Sequence, residues 1–299
     1  MWLSITLLSY FCFALNGVID KFLLDKTSFH PGVYAFLISV LGLLGFLLVP
    51  FGASPPADHW GLMLFAGAIF IYALFFFFSA LKRLEASRTL PLTGTLVALF
   101  SLFIAIFFLG EIFNAAQTTA FTLLVVGGIL ISYEPDRKLN DQGWGWIFAV
   151  LAAVCYAIGF YALKFTYDNV GFLPGFVWTR LGGLAAGLTL LVLPGVRRGV
   201  RALFRASPET PGRPPRLGLV ISGQGIGALG SFLQNYAIAL GSVALINVLQ
   251  GTQYAFLFLM TVGLSRRYPQ ILNERQTNGI LVQKIAALAL IAMGLYLIM

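Results

Sequence analysis

Long apolar runs separated by short polar stretches extend over the whole chain. Ten of these runs approach the roughly 20 residues that a helix needs to cross a hydrocarbon layer about 30 Å thick. We therefore predict ten transmembrane helices, over residues 2–24, 31–51, 60–81, 89–109, 116–132, 145–164, 172–193, 217–240, 243–264 and 281–299. The alternating ten-residue segments of a membrane β-barrel are absent from the sequence. The predicted fold class is all-α integral membrane.

The first apolar run is predicted to be a span and not a cleaved signal peptide. No basic residue precedes it, Asn16 interrupts it, and it ends in Asp20-Lys21. No small-residue cleavage site follows. We therefore include this run in the membrane domain.

The composition supports a lipid environment. Apolar residues make up 59% of the chain and charged residues 10%, and the mean hydropathy is +0.89. Soluble domains average roughly 45–50% apolar and about 25% charged residues, so these charges are too few to cover a soluble surface. The net charge of +8 raises the possibility of nucleic-acid binding. The basic residues lie between apolar runs, where they set membrane topology, so we expect no nucleic-acid partner.

The two halves of the chain repeat each other. At one fixed offset Lys21 aligns with Lys164 and Asp25 with Asp168, and further along Gly94-Thr95 aligns with Gly251-Thr252 at a slightly larger offset. Each half contains five predicted spans. Because five is odd, the second half must enter the membrane from the opposite side, as in secondary transporters with inverted repeats. We predict repeats over residues 1–132 and 145–299, within one membrane domain.

The distribution of basic residues predicts the orientation. Of the 19 lysines and arginines, all except Lys164 and Arg180 lie in or beside connections that follow odd-numbered spans. The longest such connection, residues 194–216, is rich in arginine and proline and is predicted to be a solvated loop. The positive-inside rule then assigns the odd connections to the cytoplasm and both termini to the outside.

Three short motifs carry a family resemblance. They are ALKRLEAS at residues 80–87, Pro91-Leu92, and Leu109-Gly110-Glu111. This pattern resembles the EamA-type transporters of the drug/metabolite transporter superfamily, in which the third span ends in a similar stretch and the fourth closes on Leu-Gly-Glu. A degenerate copy, YAIALGS at residues 236–242 and Leu-Asn-Glu at 272–274, follows in the second half.

The resemblance covers essentially the whole chain and implies two EamA-like five-helix repeats. It implies transport of a small molecule across a membrane. It implies no particular substrate, since family members carry very different solutes. Family members of this size are usually described with cytoplasmic termini, whereas the charge distribution here predicts external termini. The direction of transport is therefore not carried over.

Polar residues inside spans are costly and are functional candidates by default. Asn16 and Asp20 are four residues apart, so they share one helix face, which either lines a water-filled path or lets Asp20 pair with a nearby lysine. Arg180 lies well inside the seventh span. It binds an anionic group of the substrate, or it pairs with Asp168 or Glu85, or it reaches one interface.

A group of amides in the eighth and ninth spans predicts a hydrated cavity. Gln234 and Asn235 lie in the eighth span, and Asn247, Gln250, Gln253 and Tyr254 lie in the ninth. Asn247, Gln250 and Tyr254 follow helical spacing and form one polar stripe. Interhelical hydrogen bonds would account for one or two such amides, but a set of this size favours a cavity. Tyr156 and Trp178 are candidate aromatic walls.

Four further residues are candidates for coupling or gating. Asp20 is the acidic candidate. Lys21 and Lys164 are repeat equivalents at the ends of the first and sixth spans. The alternative to a coupling role for these two lysines is anchoring of the helix at the membrane interface. Pro91 opens the fourth span as an early-turn proline or a gating kink.

No catalytic or nucleotide-binding motif is present in the sequence, and the two cysteines, Cys12 and Cys155, lie in apolar runs. We expect no enzyme, no metal and no cofactor. The leading hypothesis is a secondary transporter for a small polar or amphipathic metabolite, amino-acid-like or anionic, in a bacterial inner membrane. The alternatives are a flippase for a lipid or lipid-linked headgroup, and a non-transporting scaffold or sensor. The expected partners are a small-molecule substrate and membrane lipid, and both a monomer and a homodimer are open.

Overall fold

The computed structural model describes residues 1–23, 30–84, 86–132, 143–205, 217–265 and 278–298. Within these residues all regular secondary structure is helical. The helices are α1 Trp2–Leu23, α2 Pro31–Leu41, a 3-10 helix Gly42–Phe51, α3 Trp60–Leu81, α4 Ala86–Leu109, α5 Ala115–Ser132, α6 Gly143–Val170, α7 Phe172–Leu190, α8 Pro194–Arg205, α9 Leu217–Leu240, α10 Val243–Val248, α11 Gln250–Ser265 and α12 Asn278–Ile298.

The all-α membrane class is confirmed. Within the described part of the chain, six helical segments are long and apolar enough to cross a membrane, and a seventh is reached if α7 and α8 count as one bent span. Segments of α5 and α12 are shorter apolar helices. Ten spans in an inverted arrangement therefore stay a prediction.

Three predicted elements differ from the structure. The second span changes at Gly42 from an α-helix to a 3-10 helix that contains Pro50, which has no N–H for an α-helical bond. The helix of the ninth span has a one-residue irregularity at Leu249, although Val243–Met260 still forms one candidate membrane span with no bend of more than 40°. The predicted solvated loop after the seventh span begins with a helix, α8, because Pro194 suits the first helical position and the arginines that follow alternate with apolar residues at helical spacing.

The described helices belong to two compact units. The first unit consists of Met1–Thr27, Leu102–Leu139 and Arg213–Met299, and the second consists of Ser28–Ser101 and Asn140–Gly212. The division falls inside α4. Each unit contains segments from both halves of the sequence.

Small residues bring the helices of the first unit together. Here α1 packs against α9 and α11, and α5 packs against α12. A Cβ atom built on Gly127 of α5 would lie 2.8 Å from Ile291 Cγ1, and one on Gly294 of α12 would lie 3.0 Å from the Ala120 carbonyl oxygen. Close approach through small residues is how helices associate in lipid, where apolar burial gives no net gain.

The second unit is built around α3, which packs against α6, α7 and α2. Gly67 of α3 lies directly on the backbone of Thr179 in α7, and Gly182 of α7 lies on the backbone of Leu64 in α3. Any side chain at either glycine would overlap main-chain atoms. The turn from α6 to α7 is a single residue, Gly171, whose φ of +84° is open to glycine at little cost.

Large apolar side chains cover the outside of the described helices. Phe107 and Phe108 of α4 are 71% and 73% exposed, and Leu47 of the 3-10 helix is 71% exposed. Exposed apolar residues of this density are a liability in water and the expected surface in lipid. The chain is therefore an integral membrane protein.

Candidate functional site

The polar residues of the first unit surround a break in the ninth span. α10 ends at Val248, a turn at Leu249 follows, and α11 begins at Gln250. The backbone N–H and the hydroxyl of Thr252 both donate to the Leu249 carbonyl, at 2.9 and 2.7 Å. A helix end leaves carbonyl groups without partners in its own helix, and lipid supplies none. Other parts of the chain must therefore satisfy the break.

Tyr10 of α1 supplies one of these partners. Its hydroxyl donates to the carbonyl oxygen of Ile246, in the last turn of α10, at 2.9 Å. The amide nitrogen of Gln234 in α9 donates to the same hydroxyl at 3.5 Å. Tyr10 is 1% exposed, so both bonds are shielded from solvent. One phenol hydroxyl thus connects α1, α9 and the end of α10.

The other predicted amides of this unit lie on the same three elements. Asn16 of α1 faces α9, where a Cβ atom on Gly227 would be 3.2 Å from its Nδ2 atom. Gln250, Gln253 and Tyr254 occupy the first turns of α11, the glutamines half-buried and the tyrosine buried. The side chain of Tyr254 is near enough to Tyr10 to interact with it electrostatically.

The start of α11 lies close to α5. A Cβ atom on Gly251 would be 3.3 Å from the Leu124 carbonyl oxygen and 3.8 Å from the Cα atom of Gly128. Because both contacting positions are glycine, the interrupted backbone can approach α5 closely. A larger residue at Gly251 would move the break away from α5.

The beginning of α10 is tied to the Leu-Gly-Glu motif. Gly110, with φ of +64°, ends α4 in the left-handed conformation that glycine adopts without strain. Glu111 then accepts a hydrogen bond from the Ser242 hydroxyl at 2.9 Å, and Ser242 is the residue that precedes α10. The Leu-Gly-Glu motif therefore fixes the N-terminal end of α10, and Tyr10 contacts the C-terminal end of the same helix.

Two aromatic residues predicted as cavity walls lie in the second unit. The indole N–H of Trp178 donates to the Ala53 carbonyl at 3.0 Å, and its ring contacts Phe46 and Trp60 edge to face. Tyr156 lies among the rings of Phe70, Phe77 and Phe160. These contacts give both rings a packing role, and a substrate contact by either stays a prediction.

Arg180 of α7 is held by an aromatic ring. Its guanidinium lies over the ring of Phe176, 4.2 Å from the ring centroid, and its aliphatic stem lies against Gly42 and Gly45 of the 3-10 helix. Asp168, one of its alternative partners, pairs instead with Lys164 at 3.0 Å. Within the described part of the chain, no acidic side chain forms an ion pair with Arg180.

The eight predicted substrate-binding residues therefore fall into two sets. Asn16, Gln234, Gln250, Gln253 and Tyr254 belong to the first unit, and Tyr156, Trp178 and Arg180 belong to the second. The remaining candidates were Asp20, Lys21, Pro91 and Lys164. The side chains of the first three lie outside the part of the chain whose side chains the structure describes, as does Glu85. Lys164 forms the ion pair with Asp168.

Tyr10 is not among the candidate residues predicted from the sequence. A tyrosine in the middle of a predicted span carries a hydroxyl that needs a partner when buried, and this is the signal that could have identified it. The partner itself is a backbone carbonyl that only the break in the ninth span makes available. That carbonyl has no signature in the sequence.

Comparison with known proteins identifies the family of the N-terminal part. Of curated proteins, none matches the chain, whereas 29 chains of solved structures do. One, described only as a crystal structure of a protein, has a TM-score of 0.67 at 19% identity, covering 99% of this chain and 94% of that one; it shows the fold alone. Residues 1–133 match the EamA-like transporter family. The resemblance drawn from the motifs is thereby confirmed for residues 1–133, and the chain is a membrane protein whose first 133 residues are similar to EamA-like transporters.

Proposed function

We propose that the chain is a secondary transporter that moves a small polar or amphipathic metabolite, amino-acid-like or anionic, by alternating access. The observation that carries this proposal is the one-residue break at Leu249 in the helix of the ninth span, with Tyr10, Gln234 and the amides of α11 close to it. Transporters commonly bind their substrates where a spanning helix is broken, because the break exposes backbone groups and helix ends inside the membrane.

The polar residues around the break favour binding over simple packing. Small apolar residues suffice to pack helices in lipid, and the α5–α12 contact in this unit is made by Gly127 and Gly294, with an amide hydrogen bond from Gln283 to the Leu130 carbonyl. Gln250, Gln253 and Tyr254 add hydrogen-bonding groups at the N-terminal end of α11, the end where a helix dipole favours negative charge. We infer that these side chains, with Asn16 and Gln234, bind the polar part of the solute.

Arg180 is proposed as a second determinant of substrate charge. Its guanidinium stacks on Phe176, an arrangement that leaves the edge of the guanidinium group able to donate hydrogen bonds. With no acidic partner in the described residues, its charge favours an anionic or zwitterionic solute.

The packing of the helices supports two inverted repeats, over residues 1–132 and 145–299. The sequence offset aligns α1 with α6 and α3 with α9. In the first unit α1 packs against α9, and in the second unit α6 packs against α3. Each unit thus pairs the first helix of one repeat with the third helix of the other. In the first unit the first helix, α1, comes from the N-terminal half, and in the second unit the first helix, α6, comes from the C-terminal half.

We further propose that both termini are external, since the basic residues follow odd-numbered spans, and that the protein resides in a bacterial inner membrane. A reporter fused after Met299 should behave as extracytoplasmic. Cytoplasmic activity of that reporter would restore the orientation usual for the family.

The binding proposal is tested by replacing one glutamine at the break with leucine. The effect on uptake is compared with that of the same replacement at a glutamine elsewhere in the same unit. Gln250→Leu removes a polar group at the break, and we expect uptake of an accepted solute into proteoliposomes to fall at least tenfold. Gln283→Leu makes the same chemical change in α12, where the amide donates to the Leu130 carbonyl at 2.7 Å. We expect this control to lower thermal stability slightly while uptake stays near normal.

Uptake must be screened first over amino acids, small organic anions and neutral metabolites, because the solute is not yet identified. Both variants should elute as monodisperse proteins with wild-type helicity. Normal uptake by Gln250→Leu, or an equal loss in Gln283→Leu, would contradict the assignment of the break as the binding site.

A further inference from the structure

Helix α8 leaves the membrane-spanning direction. It follows α7 after a connection of only a few residues, and the axis of Pro194–Arg201 is bent by 101° from that of α7. A helix at nearly a right angle to a spanning helix runs along the membrane surface. Because the connection is so short, α8 stays at the level of the lipid headgroups.

One face of α8 is committed to the protein. Val196 is fully buried and lies on Gly32 of α2. Gly199 approaches Val33, where a Cβ atom would be 2.6 Å from Val33 Cγ2. These contacts hold the helix against the N-terminal end of α2, so its orientation is fixed by packing.

The remaining face carries arginines. Arg197, Arg198 and Arg201 are all exposed, and at about 100° per residue they fall within an arc of roughly 100°. The Nε atom of Arg198 donates to the Pro194 carbonyl of its own helix at 3.3 Å. Among the residues that the structure describes, no carboxylate pairs with any of the three.

Other basic groups lie at the same end of the second unit. His30, the residue before α2, is in contact with α8 through Gly195. Burial lowers the pKa of His30, and the positive charges of Lys82 and Arg83 at the end of α3 lower it further. The end of α3 is therefore near enough to add to the positive potential around α8.

Exposed apolar residues adjoin this basic face. Val192 and Leu193, in the connection between α7 and α8, are 79% and 39% exposed. An apolar segment beside a row of cationic side chains is the pattern of a helix that lies in the membrane interface. The apolar residues insert among acyl chains while the guanidinium groups meet lipid phosphates.

We propose that the exposed face of α8, formed by Arg197, Arg198 and Arg201, binds the headgroups of anionic phospholipids. Guanidinium groups pair with phosphate oxygens through two parallel hydrogen bonds. Each basic residue near an anionic membrane surface contributes about fivefold in affinity, so three contribute on the order of 100-fold. This site is separate from the break in the ninth span and does not depend on what the protein transports.

The test uses detergent-solubilised full-length protein titrated with phosphatidylglycerol, phosphatidylcholine or inorganic phosphate, with bound lipid counted by native mass spectrometry. The wild type should retain phosphatidylglycerol in preference to phosphatidylcholine, and inorganic phosphate should not compete at equal concentration. The triple variant Arg197→Gln/Arg198→Gln/Arg201→Gln should lose that preference by about 100-fold. The matched triple Arg→Lys variant should keep most of it, because the charges remain.

Two further measurements make the result decisive. The preference should decline as the salt concentration rises, since screening weakens surface electrostatics. Circular dichroism should show unchanged helicity in both variants, because Val196 and the glycines that dock α8 are retained. An unchanged preference in the glutamine variant would overturn the proposal. Competition by inorganic phosphate at a concentration equal to that of phosphatidylglycerol would also overturn it. The site would then recognise a free anion and not a lipid surface.

Discussion

Replacing Tyr10 with phenylalanine removes one oxygen atom from the break in the ninth span. The ring stays, so the packing of Tyr10 is retained, but the Ile246 carbonyl loses its donor and the Gln234 amide loses its acceptor. A buried polar group left without a partner costs about 1–3 kcal/mol. The bond from Gln234 is long, so most of the effect comes from Ile246. We expect a local destabilisation of about 1–2 kcal/mol.

The destabilisation should be local and therefore visible by hydrogen exchange. Backbone amides around residues 247–252 should exchange about 5–30 times faster in Tyr10→Phe than in the wild type, the ratio that 1–2 kcal/mol corresponds to. Amides in α3 and α6 of the second unit should exchange at unchanged rates. The experiment requires peptide coverage of α10 and of the start of α11 in detergent or nanodiscs.

Tyr161→Phe is the matched control. Tyr161 is also buried, and its hydroxyl donates to the Ser101 carbonyl at 2.9 Å. Ser101 lies in the interior of α4, where the helix itself offers its carbonyl a partner. We therefore expect less than about 1 kcal/mol from this change and no effect at residues 247–252. Equal exchange in Tyr10→Phe and the wild type would refute the role of Tyr10 in satisfying the break.

Three further variants test other contacts. Gly67→Ala should destabilise the protein by about 1–3 kcal/mol or more, because the added methyl group overlaps the α7 backbone. Its control is Gly61→Ala in the same helix, where there is open space, and this variant should leave the unfolding temperature unchanged or slightly raised. Equal effects of the two changes would contradict the packing of α3. A double-mutant cycle of Glu111→Gln and Ser242→Ala should give a coupling energy of about 1 kcal/mol, and additive effects on thermal stability would exclude a stabilising bond. In Arg180→Lys, an accepted anionic solute should inhibit uptake of labelled solute about tenfold more weakly, because the stacked guanidinium fork is lost. Unchanged inhibition would make Arg180 a packing residue only.

The positions of most helices could be predicted from the sequence because lipid imposes a simple rule. A span must be apolar, helical and about 20 residues long, and α3, at Trp60–Leu81, has the predicted bounds. The amphipathic α8 was predicted as a loop. Its arginines and prolines are typical of solvated connections, and the helix is stabilised by docking Val196 on Gly32, a tertiary contact that sequence spacing does not reveal.

The candidate site could be predicted only in part. The amides of α9 and α11 stand out because polar groups inside spans are costly. The break at Leu249 could not be predicted, since Val243 to Leu264 reads as one continuous apolar run. Its partners are distant in sequence: Tyr10 contacts Ile246 across 236 positions, and Glu111 contacts Ser242 across 131.

Solute counterflow in proteoliposomes tests the central claim most directly. Vesicles containing the purified protein and an excess of unlabelled accepted solute are diluted into a trace of labelled solute. A carrier that exposes one site alternately to each side should accumulate label transiently above its equilibrium level, and Gln250→Leu should abolish the overshoot. Label that only equilibrates, or that enters no faster than in protein-free vesicles, would contradict transport by alternating access.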